Sequence, residues 1–166
     1  MARISIMDIC DGIAATFNGL VVTLNAGSAP VALIAQSYDE LTEGMQDTPV
    51  LQVLPMDSDV DAATDTDRTT FKGCIKHGRY HFVLHGYARP RSHVGEDVEA
   101  AIRMWDACEA VLEDEGTDCV AATGTCTFFG VPEIRGISWT GLAPIEKTYA
   151  KATYSGFEVT LAVDVF

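Results

Sequence analysis

The most regular pattern in the chain lies at its end. Phe157, Val159, Leu161, Val163 and Val165 alternate with Glu158, Thr160 and Asp164, the period of two of a strand with one buried and one solvated face. Gly156, just before it, reads as a bulge or bend. Residues 96–115 show the helical period instead. Val98, Ala101, Ile102, Trp105, Cys108 and Leu112 fall on one stripe. Glu96, Asp97 and Glu99 suit its positive N-terminal end, and Gly116 suits a C-terminal cap. A shorter helix is predicted from a Ser5 cap, with Ile6, Cys10, Ile13 and Phe17 recurring until Asn18-Gly19 stops it.

Between these lie shorter apolar runs. Leu20 to Leu24 and Val31 to Ala35 are split by Asn25-Ala26-Gly27-Ser28, and one or both read as strands. Ser37 to Asp47 is mostly loop, and Pro49 to Pro55 is a short strand bracketed by prolines. Phe71 to Ile75 and Arg79 to Ala88 are strand candidates joined through His77-Gly78 as a hairpin, and Pro90 breaks the chain after them. Residues 119–129 and 134–142 are further strands around Gly130-Val131-Pro132. The pattern predicts an α+β fold: a single mixed, mostly antiparallel β-sheet with two α-helices packed on one face. With 166 residues and no internal repeat or linker, residues 1–166 form one domain.

Composition narrows the class. Apolar residues make up 48% and charged residues 21%, the balance of a folded domain. No apolar run approaches the roughly 20 residues that span a bilayer. Asp8 and Asp11 interrupt what would be the core of a signal peptide, so synthesis in the cytoplasm is expected. Cys10, Cys74, Cys108, Cys119 and Cys126 are odd in number and scattered, which favours reduced core thiols over a disulfide framework.

The net charge of −13 is unevenly placed. Residues 1–67 hold eleven acids against Arg3 alone, and residues 96–166 hold thirteen acids against four bases. Between them, residues 68–95 carry Arg68, Lys72, Lys76, Arg79, Arg89 and Arg91, all four histidines, and no acid. Such a block is either a set of solvated loops or a basic face that meets an acidic face on a neighbouring copy. Specific nucleic-acid binding is disfavoured by the deficit of Lys and Arg.

Candidate chemistry is sparse. Cys74, His77, His81 and His85 have metal-ligand spacing if helical, but Tyr80, Phe82 and Leu84 alternate with His81, Val83 and His85. On a strand, His81 and His85 lie roughly 13 Å apart, too far to share one metal ion. Asp57, Asp59 and Asp61 begin like a calcium loop, yet Ala62 stands where glycine is needed and Arg68 where a bidentate Glu is needed. Asp57, Asp59, Asp61, Asp65 and Asp67 therefore read as an exposed acidic loop. No nucleophile elbow, P-loop or dinucleotide fingerprint occurs. Trp105, on the helix stripe, reads as core. No enzyme activity, cofactor or metal is expected.

The order of features carries a resemblance. A short helix comes first, then a proline-flanked strand leading into a polar loop (Pro49 to Asp61), a strand near Arg79, and a long acidic helix ending near Glu115. Last comes a strand with Tyr154-Ser155-Gly156-Phe157-Glu158-Val159-Thr160-Leu161. Over nearly the whole chain this layout resembles the tail terminator and related neck proteins of long-tailed bacteriophages. It departs from them at residues 20–48 and 119–126.

The resemblance implies a virion structural protein made in the host cytoplasm. It would be a ring, typically a hexamer, that caps the tail tube and joins it to the head–tail connector, with DNA passing through unbound. On that reading Arg68, Lys72, Lys76, Arg79, Arg89 and Arg91 are candidates for the contact between copies. Asp57, Asp59, Asp61, Asp65 and Asp67 are candidates for an acidic lumen that repels phosphate. A head-completion or connector protein is the alternative within the class. A small enzyme or ligand-binding domain is the alternative outside it.

Overall fold

Ser5 starts the first helix as its sequence context predicts, its hydroxyl accepting from the Met7 N–H while Asp8 reaches back to the Ser5 N–H. The computed structural model describes residues 5–37, 49–55, 69–70, 76–121, 127–149 and 152–165. In chain order the elements are α1 (Ile6–Phe17), β1 (Val21–Val22), β2 (Val31–Ala32), β3 (Ile34–Ser37), β4 (Val50–Pro55), β5 (Thr69–Thr70), β6 (Lys76–Pro90), α2 (Val94–Ala121), β7 (Ile134–Trp139), β8 (Ala143–Tyr149) and β9 (Ala152–Val165).

Two long antiparallel strands form the spine. β6 and β9 pair from Gly78 opposite Val165 to Pro90 opposite Tyr154, with a bulge between Tyr87 and Arg89. β4 joins the other side of β6, and β3 lies parallel to β4 at that edge. β7 and β8 follow each other along the far side of β9, and β5 pairs with the start of β6. β1 and β2 make a separate two-stranded ribbon.

The alternation at the end of the chain sets the core. Phe157, Val159, Leu161, Val163 and Val165 are all buried, while Glu158 is exposed. Phe82 and Leu84 face Leu161 and Val159 across the ladder, and Leu51 and Val53 extend the same layer into β4. Onto it pack α1, through Ile9, Cys10, Ile13 and Phe17, and α2, through Ala100, Ala101, Met104, Trp105, Cys108 and Leu112. The Trp105 ring meets Phe157 edge-on at 5.3 Å. Phe157 in turn lies over Gly86, where an added Cβ would overlap the ring. This is the α+β architecture of a mixed sheet with two helices on one face. No described helix lies on the other face.

Several local expectations need correction. β6 runs straight through His77-Gly78, so no hairpin turn falls there. α2 continues past Gly116 to Ala121, which makes residues 119–121 helical rather than strand. Residues 127–133 form a turn closed by a Phe128–Val131 bridge, with Phe129 and Gly130 at positive φ. Val98 and Ile102, placed in the buried stripe, are 43% and 40% exposed, while Asp97, Ala100 and Met104 are buried instead. Ala101, Trp105, Cys108 and Leu112 of the stripe are buried as expected, and its edge shifts from the Val98–Ile102 side to the Ala100–Met104 side. Strand β7 ends at Trp139, and β8 was not anticipated. Gly156 is not itself the bulge. The bulge lies opposite it on β6, and a Cβ at Gly156 would collide with the Gly86 carbonyl. The strand candidate at residues 71–75 and the loops at 38–47 and 57–67 lie outside the described residues.

Candidate functional site

The sheet face turned away from the helices carries a row of polar side chains in register. The register brings Gln36, Gln52, His85 and Glu158 opposite one another on four neighbouring strands. With strands about 4.8 Å apart, the row spans about 14 Å. His85 Nε2 lies 2.9 Å from Glu158 Oε2, which fixes the ring's orientation. Gln36 Oε1 is buried and has no hydrogen-bond partner. On one side of the row Val50, Tyr87 and Tyr154 form a small apolar cluster, with the two tyrosine rings edge-to-face at 6.1 Å. On the other side Leu54, Val83 and Thr160 are in register and half-buried.

Further along β6 on the same face lie His81 and Arg79. His81 stands opposite Ala162, and its buried Nε2 has no partner. Arg79 holds Asp164 through two hydrogen bonds of 2.8 and 3.2 Å. Among the described residues, no group of His, Cys, Asp and Glu converges to hold a metal ion.

The three described arginines of the basic stretch do not share one face. Arg79 points away from the helices. After the bulge, Arg89 points towards them, opposite a Ser155 whose hydroxyl donates to the Asp97 carbonyl. Arg89 donates to Asn25 Oδ1 (3.0 Å), Glu96 Oε2 (3.2 Å) and Ser92 Oγ (2.9 Å), and its Nε is 3.5 Å from Asp97 Oδ1. Arg91 forms an ion pair with Glu146 of β8. Each of these three arginines is thus engaged inside its own chain. Lys76 begins β6, but its side chain, like Arg68 and Lys72, lies outside the described residues. So do Asp57, Asp59, Asp61, Asp65 and Asp67.

Cys10 and Cys108 are free and buried. Burial pushes the Cys10 thiol up to about 11 and the Cys108 thiol up to about 12, which suppresses the reactive thiolate. A shallow groove of about 290 Å³ runs between α1 and the β3 edge, lined by Asp11, Ala14, Ala15, Asn18, Ala35, Gln36 and Ser37. In it Asp11 is engaged by the Ser37 hydroxyl and Asn18 by the Ala35 N–H, while Gln36 Oε1 has no partner.

Sequence reasoning missed the row of Gln36, Gln52, His85 and Glu158, because strand register cannot be read from single strands. It also missed Asp97 as a buried acid, for which the one available signal was an Asp in the first turn of a helix. No described helix is long and apolar enough to cross a membrane. No protein-family model matches the chain, and a search of curated proteins finds no match.

Proposed function

We propose that this chain is a structural subunit of a phage virion, of the tail-terminator type. In this reading it closes into a ring that caps the tail tube and meets the head–tail connector. The observation that carries the reading is the one-sided layering. Both helices bury one face of the sheet, and the other face, with no described helix over it, carries a polar row, the half-buried Leu54, Val83 and Thr160, and the buried Val50, Tyr87 and Tyr154. A subunit that packs against copies and tube needs such fixed surfaces and needs no reactive group. The element order that resembles the terminator family supplies the rest.

The contact by a basic flank narrows in this reading. Arg79, Arg89 and Arg91 have partners within the chain, and Arg68, Lys72 and Lys76 are the proposed contact with an acidic neighbour. Asp57 to Asp67 remain the proposed lumen lining. The role is tested by mixing the purified chain with preformed tail tubes and imaging them. Density at tube ends and a halt in tube growth support the proposal. Tubes left bare and still growing refute it.

A further inference from the structure

The β1–β2 ribbon is built unlike the rest of the fold. Its two-residue strands pair with each other and lie outside the main sheet. Across residues 21–32, Val22 alone is fully buried, with Leu24 half-buried beside it, and Val21 on the outer side is 64% exposed. What holds the tip down is polar. Asn25 Nδ2 donates to the Glu96 carbonyl at 2.8 Å, Arg89 donates to Asn25 Oδ1 at 3.0 Å, and the Ala26 N–H donates to Glu99 Oε1 at 3.1 Å.

The base of the ribbon is firmer. The Gly19 N–H donates to the Leu33 carbonyl at 2.8 Å and the Leu33 N–H to the Leu20 carbonyl at 2.7 Å, with Leu33 buried. Gly19 sits at φ +84°, a backbone conformation that marks a pivot open to few other residues. The turn itself is self-contained, closed by the Ser28 N–H to the Asn25 carbonyl at 3.0 Å. A segment with one buried side chain, a firm base and a tip held by three hydrogen bonds has the character of a unit that opens locally.

We propose that residues 20–32 are a latched strap, which opens as a body about Gly19 and Leu33 while the sheet and helices stay closed. Opening lifts Val22 and Leu24 from the core and uncovers the flank of α2 at Glu96 and Glu99, whose carboxylate Arg103 still holds. Arg89 stays in place, because Ser92, Glu96 and Asp97 still hold it. The strap thus exchanges a quiet surface for an apolar strip beside carboxylates without unfolding the domain. This inference does not depend on the assembly reading.

Residue-resolved amide hydrogen exchange on the whole chain tests it. The Ala26 amide, bonded from the strap to α2, is expected to exchange at least about a hundredfold faster than amides of the β6–β9 ladder, with Gly19 and Leu33 staying slow. Asn25→Ala is expected to speed Ala26 by about tenfold more while leaving unchanged the ladder and the Ser28 amide, which is bonded within the turn. Asn25 lies outside the core, and its backbone still closes the turn in the variant. Ala26 exchanging as slowly as the ladder, or Asn25→Ala speeding Ala26 and the ladder equally, would overturn the proposal.

Discussion

Asp97 is 3% exposed, and its Oδ1 has no hydrogen-bond partner, with Arg89 Nε 3.5 Å away. A carboxylate removed from water in this way depends on its countercharge. Arg89→Ala is therefore expected to cost about 3–5 kcal/mol in urea unfolding. Arg79→Ala, from a pair with a 41% exposed arginine, is expected to cost under about 1 kcal/mol. Equal losses for both would contradict the assignment. Nothing in the sequence distinguishes the two arginines, since both stand in the same acid-free stretch. The difference arises at the bulge after Tyr87, which turns Arg89 towards α2. Gly86 is a similar case. Its need to be glycine comes from the Phe157 ring across the ladder, a neighbour 71 residues away in sequence that only pairing reveals.

The elements themselves were legible where a period ran long enough. α1 begins and ends where the Ser5 cap and Asn18-Gly19 place it, and the alternation from Phe157 picks out the core face of β9. β8 escaped because Pro144, Glu146 and Lys147 give no alternation, and among the described strands it pairs with β9 alone. In α2 the stripe holds at Ala101, Trp105, Cys108 and Leu112 and fails at its edge, where Val98 and Ile102 suit a core position as well as Met104 does. The correction can be measured. Met104→Ala is expected to cost about 2–5 kcal/mol and Ile102→Ala well under half as much, by the same unfolding assay. The strap adds a pH prediction at this scale. The Arg103 side chain, and then the Ala26 N–H, hold the Glu99 carboxyl below its ordinary value of 4.5. A depressed folded value means the latch is fully present above 4.5 and is lost as pH falls through the lower value. Arg89, Glu96, Asp97 and Arg103 face the same site. Exchange at Ala26, after correction for intrinsic rates, is thus expected to rise on acidification below that point. A flat profile in the wild type counts against the Glu99 bond.

At the scale of the molecule, the layer architecture followed from the sequence and the surface did not. A charge block reads as a patch only if its residues share a face. Here a strand of fifteen residues with a bulge sends Arg79 and Arg89 to opposite sides of the sheet. The net charge of −13 still bears on assembly, because like-charged copies approach only through matched or apolar contacts. As proposed, this chain works as one of several copies in a closed ring. Native mass measurement of the purified protein, alone and with tail tube protein, is the most direct test. The account predicts a single discrete multiple of the 17.9 kDa chain, formed either spontaneously or on adding tube. A monomer under both conditions, at every concentration tried, would contradict it.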